Sequence, residues 1–388
     1  MTVTRLAADP LRRARAAVAL GFALGGLGSG VWLVHIPVVT ARLAIGPAVL
    51  GFALLAGNLA ALAAQPLFAG LVARLGSRRA TALAMPLAVA SFALPVLAGS
   101  TPAFVAALLW IGLAFAFFNV AINTQAVEVQ AASGRPLMSA FHGFFSLGSL
   151  AAAGIAGALI AAGLGDGRGS LAVAAVSVAG ALVAIRGLVP GGPRSRPPAR
   201  RRLVLPPRAL LAFALLALLA NAVEATVTSW GSLFLVDVKG ATPSAAALGF
   251  ACYSLAMAAG RFAGGAAVAR FGERRVIAGG GALVAAGMAV AIAAPWFALS
   301  AAGFLVVGLG AANAIPVLIS AASRVPGVAP STGVAAVMSG GGAGYLLAPP
   351  LVGSVAQGFG LAPGLAMIAG CGLAVALTAA RRRWSDTP

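Results

Sequence analysis

Charge is scarce in the long apolar stretches of this chain, so the few ionisable and amide side chains inside them are where chemistry can be sought. Glu224 and Arg261 are the two that carry charge away from the ends of their stretches. Each interrupts an apolar run long enough to cross a bilayer, where a charged group is costly unless it is paired or used. Glu224 falls about fifteen residues into its run, or about 22 Å along a helix rising ~1.5 Å per residue. Arg261 falls about nine residues from the end of the next run, or about 13 Å deep on the same rise. The depths differ by about 9 Å, a gap an arginine side chain only just spans. A carboxylate so placed is a candidate proton carrier. The guanidinium can pair with it in one conformation, hold a carboxylate by its planar fork, or lead its charge back to the inner surface.

Uncharged polar groups gather elsewhere. Asn119 and Asn123 are four residues apart and share a helix face, with Gln125 close by. Amides offer both donors and acceptors, which suits hydroxyl- or amide-bearing solutes; the alternative is hydrogen bonding between helices. Trp230, further along the run of Glu224, adds an aromatic face to these binding candidates. His142, Glu128 and Arg135 frame one junction between runs and can form a gate whose contacts change with conformation; a packing or capping role fits them equally. His35, just before Pro37, lies at an outer end and is a second gating candidate. No His, Cys and carboxylate cluster has metal-ligand spacing, no Gly-Lys-Ser or Gly-Lys-Thr follows a glycine run, and two histidines with seven acids support no catalytic triad. The expectation is a protein that is not an enzyme and needs no metal or cofactor.

The elements that position these residues are hydrophobic helices. Twelve spans are expected near 16–39, 47–73, 80–99, 103–127, 137–163, 170–189, 209–235, 245–269, 275–294, 296–320, 331–356 and 361–380. Between the sixth and seventh, residues 190–208 are dense in Pro, Gly and Arg, a solvated linker in composition. This divides the chain into a six-helix bundle over 1–189 and another over 209–388. The halves repeat each other. Ala73-Arg74-Leu75-Gly76-Ser77-Arg78-Arg79-Ala80 returns as Ala269-Arg270-Phe271-Gly272-Glu273-Arg274-Arg275-Val276, an offset of 196 residues that also sets Gly112 on Gly308 and Gly148 on Gly344. By the same offset Gln65 corresponds to Arg261, making Gln65 a further binding candidate. Glu128 corresponds to Arg324, so the inner ends of spans 4 and 10 carry opposite charges whose attraction would favour closure. Two parallel helical repeats are the plan of a secondary transporter with its site where the halves meet. Spans 5 and 11 are rich in glycine, and span 11 carries Pro349 and Pro350; such helices can bend and slide, or simply pack closely.

Composition agrees. The chain of 388 residues is 61% hydrophobic and 9% charged, with a mean hydropathy of +1.02, which excludes an ordinary soluble domain. The net charge of +19 is not a nucleic-acid footprint, because the basic residues sit in short clusters between apolar runs. With both termini in the cytoplasm, 22 of the 26 basic residues lie on that side and three, Arg42, Arg168 and Lys239, lie outside. Trp32, Trp230 and Trp296 then fall near the outer interface. The first span is long and leads into others, so it reads as a retained helix rather than a cleaved signal. The excess of arginine over lysine, with the alanine, points to a GC-rich bacterial genome.

The repeated loop resembles the signature loop of the major facilitator superfamily, in which glycine, Asp-Arg, a second glycine and basic residues follow one another. Gly265, Arg270, Gly272, Arg274 and Arg275 fit it in the second copy; Arg74, Gly76, Arg78 and Arg79 fit in the first, where Ala69 replaces the leading glycine. Ala73 and Ala269 stand in place of the usual acid. The stretch Asn119 to Glu128, running into Gly134-Arg135-Pro136-Leu137-Met138-Ser139-Ala140-Phe141-His142-Gly143-Phe144-Phe145-Ser146, is similar to the span 4–5 region of the bacterial YbjJ-like transporters, relatives of the fucose permease. Trp32 to Pro37, and Glu224 followed by Trp230, are similar too. Members of that group often carry aspartate where Asn119 and Ser229 stand, and span 1 has none of the acid through which the fucose permease couples protons. The resemblance implies an all-α integral membrane protein of twelve helices in two pseudo-symmetric six-helix bundles.

The function expected is secondary transport of a small polar organic solute, sugar-like or a carboxylate, by alternating access. Proton symport through Glu224 or downhill movement both fit. The protein is expected to act as a monomer in the inner (plasma) membrane, partnered by substrate, protons and lipid. A proton-coupled exporter of drugs is the alternative within transport, although span 5 lacks the glycine-proline motif such exporters carry. A membrane solute sensor is the alternative outside it.

Overall fold

A computed structural model describes residues 8–135, 137–190 and 208–381, almost wholly as α-helix and with no strand among them. All but the first and last residues of the expected linker over 190–208 lie outside the described residues, as do Arg5, Arg382 and Arg383.

Eleven helices among the described residues are long and apolar enough to cross a membrane. The longest, Pro243–Ala293, has one non-helical residue, Gly272, and is two spans joined there, which brings the number to twelve. Span 1 is Ala8–Val34, continued as Ile36–Leu43. Spans 2 to 6 are Pro47–Leu75, Ser77–Leu97, Thr101–Ser133, Met138–Ala161 and Arg168–Ile185. Span 7 is Arg208–Asp237, spans 8 and 9 are the two parts of Pro243–Ala293, and span 10 is Phe297–Ala322. Spans 11 and 12 are Pro330–Phe359 and Leu361–Arg381. Three spans break just before a proline: span 1 at His35 ahead of Pro37, span 3 at Phe92 and Ala93 ahead of Pro95, and span 10 at Ala312 and Asn313 ahead of Pro316. Proline lacks an N–H and its ring crowds the carbonyl one turn back, so the helix yields there. Pro349 and Pro350, in contrast, lie inside an unbroken span 11.

Contacts divide the chain into Met1–Leu43 with Ala56–Arg202, and Ala44–Leu55 with Leu203–Pro388. The second unit thus takes in the first turns of span 2: a Cβ on Gly51 would meet the Pro349 carbonyl oxygen at 2.7 Å, and Gln357 Oε1 accepts from the Ala48 N–H at 3.4 Å. The first unit's core includes Phe22, Met85, Phe118, Ile122 and Phe141, with Phe22 stacked on Phe141 at 5.9 Å. The second unit's core includes Leu210, Phe213, Leu216, Leu318 and Val337. Leucines such as Leu67, 70% exposed, point away from both cores.

The duplication is written in the contacts as well as the sequence. Gly148 of span 5 lies so close on span 1 that a Cβ would overlap the Ala23 carbonyl oxygen; Gly344 of span 11 lies likewise on Leu218 of span 7. Gly112 abuts the backbone of residue 57, and Gly308 abuts that of residue 253, the same pair shifted by 196. Two basic residues follow suit. Arg42 Nη2 donates to the carbonyls of Val96 (2.6 Å) and Ala98 (2.9 Å), and Lys239 Nζ donates to those of Ile292 (2.8 Å) and Ala294 (2.6 Å). Each cation thus satisfies the C-terminal carbonyls of a neighbouring helix.

The repeated loop has one backbone shape in both copies. Gly76 (φ 79°, ψ 152°) and Gly272 (φ 77°, ψ 158°) occupy a region only glycine adopts without strain. Replacing either by alanine is expected to cost about 1–3 kcal/mol, read as a lower unfolding midpoint of the protein in detergent. Gly265→Ala is the control. Gly265 is helical with open space where a Cβ would stand, so the midpoint holds or rises slightly.

Candidate functional site

Glu224 and Arg261 come together within the second unit. Arg261 Nη2 lies 3.5 Å from Glu224 Oε1, with side chains 17% and 22% exposed. The arginine reaches across the difference in depth that the sequence indicated. Span 11 adds Tyr345, whose hydroxyl donates to the Glu224 carboxylate. Tyr253 of span 8 lies in the field of the same two charges, and its buried hydroxyl has no partner in the protein. The chain contains two tyrosines, and both flank this pair. Sequence reasoning missed them, although the rarity of tyrosine within apolar runs is a signal that could have found them. Trp230 was expected near the outer interface. It is fully enclosed, its indole N–H without a partner, because the second unit packs around this part of span 7. Trp32 is buried too, with its ring 5.7 Å from that of Phe104.

In the first unit Asn119 and Asn123 do share a face. Asn123 Nδ2 donates to Asn119 Oδ1 (3.1 Å) and to the Asn119 carbonyl (2.8 Å). Gln65 is exposed on span 2. Gln125 does not join them. It is buried on another side of span 4, where its Nε2 donates to the Val189 carbonyl (3.0 Å) and to Ser77 Oγ (2.7 Å), while its Oε1 accepts from the Val189 N–H (3.1 Å). Two residues add 200° of rotation on a helix, which explains the separation of Gln125 from Asn123.

Glu128 Oε2 accepts from Ser77 Oγ at 2.5 Å and from Gln125 Nε2 at 3.4 Å. Arg324 Nη2 donates to Glu273 Oε1 at 2.6 Å and Nη1 to Ser320 Oγ at 2.6 Å. Ser77 and Glu273 are the same position in the repeat, as are Glu128 and Arg324. The structure therefore ties the end of span 4 or 10 to the loop of its own half, through the residue after the loop glycine. Charge reversal at Glu273 or Arg324 alone should lower transport severalfold, and the double reversal E273R/R324E should regain it; initial uptake rates of the three variants check this. His142 is exposed and meets the Phe22 ring edge-on at 5.1 Å, and Arg135 is exposed in the junction. His35 is buried, its Nδ1 2.7 Å from the Val31 carbonyl oxygen, held at the break in span 1. Arg74, Arg78, Arg79, Arg270, Arg274 and Arg275 are all exposed. Asn313 Nδ2 donates to the Gly260 carbonyl (3.0 Å), tying the break in span 10 to span 8.

The Major Facilitator Superfamily profile matches residues 213–388. An MFS-type transporter of Yersinia pestis, itself uncharacterised, is 33% identical over 339 residues, which cover 87% of this chain and 88% of that protein. The chain belongs to the major facilitator superfamily. Membrane protein MosC of Rhizobium meliloti is 30% identical over 363 residues, 93% of this chain and 88% of MosC. A mutant of the nucleoside transporter NupG superposes with a TM-score of 0.75 at 15% identity, covering 94% of this chain and 98% of that one. A bacterial homolog of the human lysosomal transporter Spinster, inward-facing and occupied, gives 0.73 at 16% identity, covering 98% and 100%. At such identities these structures speak for the fold alone. The all-helical architecture is that of the superfamily, and the protein is a multi-pass membrane transporter, not an enzyme.

Proposed function

We propose that this superfamily member is a secondary carrier of a small polar organic solute, sugar-like or carboxylate-bearing, driven by protons through Glu224. The observation that carries the reading is the Glu224–Arg261 pair at 3.5 Å inside spans 7 and 8, with Tyr345 on the same carboxylate. Ionised, Glu224 is held by a cation and a hydroxyl. Protonated, it loses the attraction of Arg261 and the reason for that geometry. One proton thus separates two arrangements of spans 7, 8 and 11, which is what coupling requires. Asn119 and Asn123 offer the solute neutral donors and acceptors in the first unit. Likeness of the span 4–5 segment supports a place in the YbjJ-like group. The clusters of basic residues support termini in the cytoplasm, and the carrier works as a monomer in the inner membrane. The deciding measurement is solute uptake into liposomes under an imposed pH gradient, wild type against Glu224→Gln.

A further inference from the structure

We infer that each half of this protein carries a site for the headgroup of an anionic phospholipid, built from arginines at the ends of its first, third and sixth spans. Which leaflet supplies the lipid rests on the proposed orientation, with both termini in the cytoplasm; the headgroup preference does not.

The repeat marks the sites. At the offset of 196, Arg12, Arg78, Arg79 and Arg186 fall on Arg208, Arg274, Arg275 and Arg382. Arg42, Arg168 and Lys239, at the opposite ends of the helices, have no basic counterpart; they fall on Val238, Gly364 and Leu43. Orientation in the membrane needs a count of positive charges and is indifferent to their exact positions. Four positions kept on three helices ask for something that binds them together.

In the first unit those three helix ends meet. A Cβ on Gly187, next to Arg186, would stand 2.9 Å from the Arg13 carbonyl oxygen of span 1. The Gln125 amide nitrogen joins Ser77, next to Arg78, to the Val189 carbonyl just past span 6, at 2.7 and 3.0 Å. Ala14, Ala80 and Ala184 belong to one buried cluster, with the arginines on its rim. Arg12, Arg78, Arg79 and Arg186 are exposed, and none forms an ion pair among the described residues. The second unit repeats this: Leu210, Ile277 and Ala379 of spans 7, 9 and 12 share a buried cluster, and Arg208, Arg275 and Arg381 are exposed beside them. Arg382 lies outside the described residues.

Guanidiniums gathered without acids repel unless anions lie among them, and their planar fork matches phosphate. Apolar side chains continue the same helix faces. Leu83 and Leu87 follow Arg79 by four and eight residues, Leu182 precedes Arg186 by four, and all three are exposed. In the second unit Leu283 follows Arg275 by eight residues and Leu377 precedes Arg381 by four, both again exposed. An occupant with phosphate at one end and hydrocarbon at the other answers both parts, which favours a phospholipid over a soluble phosphate. A zwitterionic headgroup brings an ammonium too, and the rims offer it little. Ala73 and Ala269 stand where the loop could carry an acid, and Glu273 is taken up by Arg324 at 2.6 Å. Glu128 is engaged by Ser77 and Gln125, which leaves Asp9, a turn before Arg12.

The test is native mass spectrometry of the delipidated full chain in detergent, with phosphatidylglycerol and phosphatidylethanolamine of the same acyl chains in equal amounts. Expected is retention of two phosphatidylglycerol molecules, at least about tenfold more tightly than phosphatidylethanolamine, with excess glycerol 3-phosphate displacing neither. R12Q/R79Q/R186Q should lose one of the two and R208Q/R275Q/R381Q the other, whereas R200Q/R201Q/R202Q, which removes the same charge from the linker, keeps both. Should a glutamine variant fail to fold, its lysine counterpart keeps the charge and loses the fork, and should bind severalfold more weakly. Equal retention of the two lipids, displacement by glycerol 3-phosphate, or an equal loss in the linker variant overturns the inference. Labelling that found both tails outside the cell would move the sites to the outer leaflet and end the proposed orientation, with the headgroup preference intact.

Discussion

Glu224→Gln is expected to abolish gradient-driven uptake, a loss of at least a hundredfold, and to leave any residual exchange flat across pH. The amide keeps the size of the carboxylate and can still accept from Tyr345, so the helix packing of spans 7 and 11 survives. What goes is the ability to alternate between charged and neutral. Arg261 is then left facing a neutral group within the membrane. Removing one partner of a largely buried ion pair typically costs about 3–5 kcal/mol; at 17% and 22% exposure the loss lies toward the lower end, since water reaches part of the pair. The double variant E224Q/R261Q should recover much of the thermal stability and none of the gradient-driven transport. That split separates a stability effect from a coupling effect. Wild-type uptake and pH dependence in Glu224→Gln would remove this residue from the mechanism.

The second large effect is expected at Gln125. Gln125→Leu fits the space but deletes a group that engages the Val189 N–H and carbonyl, Ser77 Oγ and Glu128 Oε2 together. Each buried backbone group left without a partner costs about 1–3 kcal/mol, and two are orphaned here. A drop of about 2–6 kcal/mol in stability follows, seen as a much lower unfolding midpoint in detergent. Gln125→Glu is the informative partner. It keeps the acceptor for the Val189 N–H but sets a second carboxylate beside Glu128, so its midpoint should fall with rising pH. An unchanged midpoint in Gln125→Leu would show that the clasp contributes nothing.

Much of the architecture was legible beforehand for a physical reason. A helix that must satisfy its own backbone in lipid needs about 20 apolar residues, so crossings can be counted along the chain. Gly272 illustrates the gain. The structure runs helix on both sides of it, yet the repeat with Gly76 marks the division between spans 8 and 9, and both glycines take the same positive φ. The site was less legible. Glu224 and Arg261 were conspicuous because charge is rare there, but their depths made a contact only just attainable. Gln125 was grouped with Asn123 by proximity in sequence, and the full enclosure of Trp230 was not read from it. Glu128 and Arg324 were matched to each other by the repeat; the bond each makes to the loop of its own half was not read from the sequence.

Twelve crossings, their duplication and the scarcity of membrane charge all follow from the order of apolar, basic and glycine residues alone, because insertion into a bilayer reads length and hydrophobicity along the chain. Tertiary structure alone decided which of those polar groups meet. Helix rotation and the touching of glycine backbones select the neighbours: they bring Tyr345 to Glu224, turn Gln125 onto Val189, and enclose Trp230. A contact between side chains far apart in sequence depends on where two helices pack, and no periodicity within either helix encodes that.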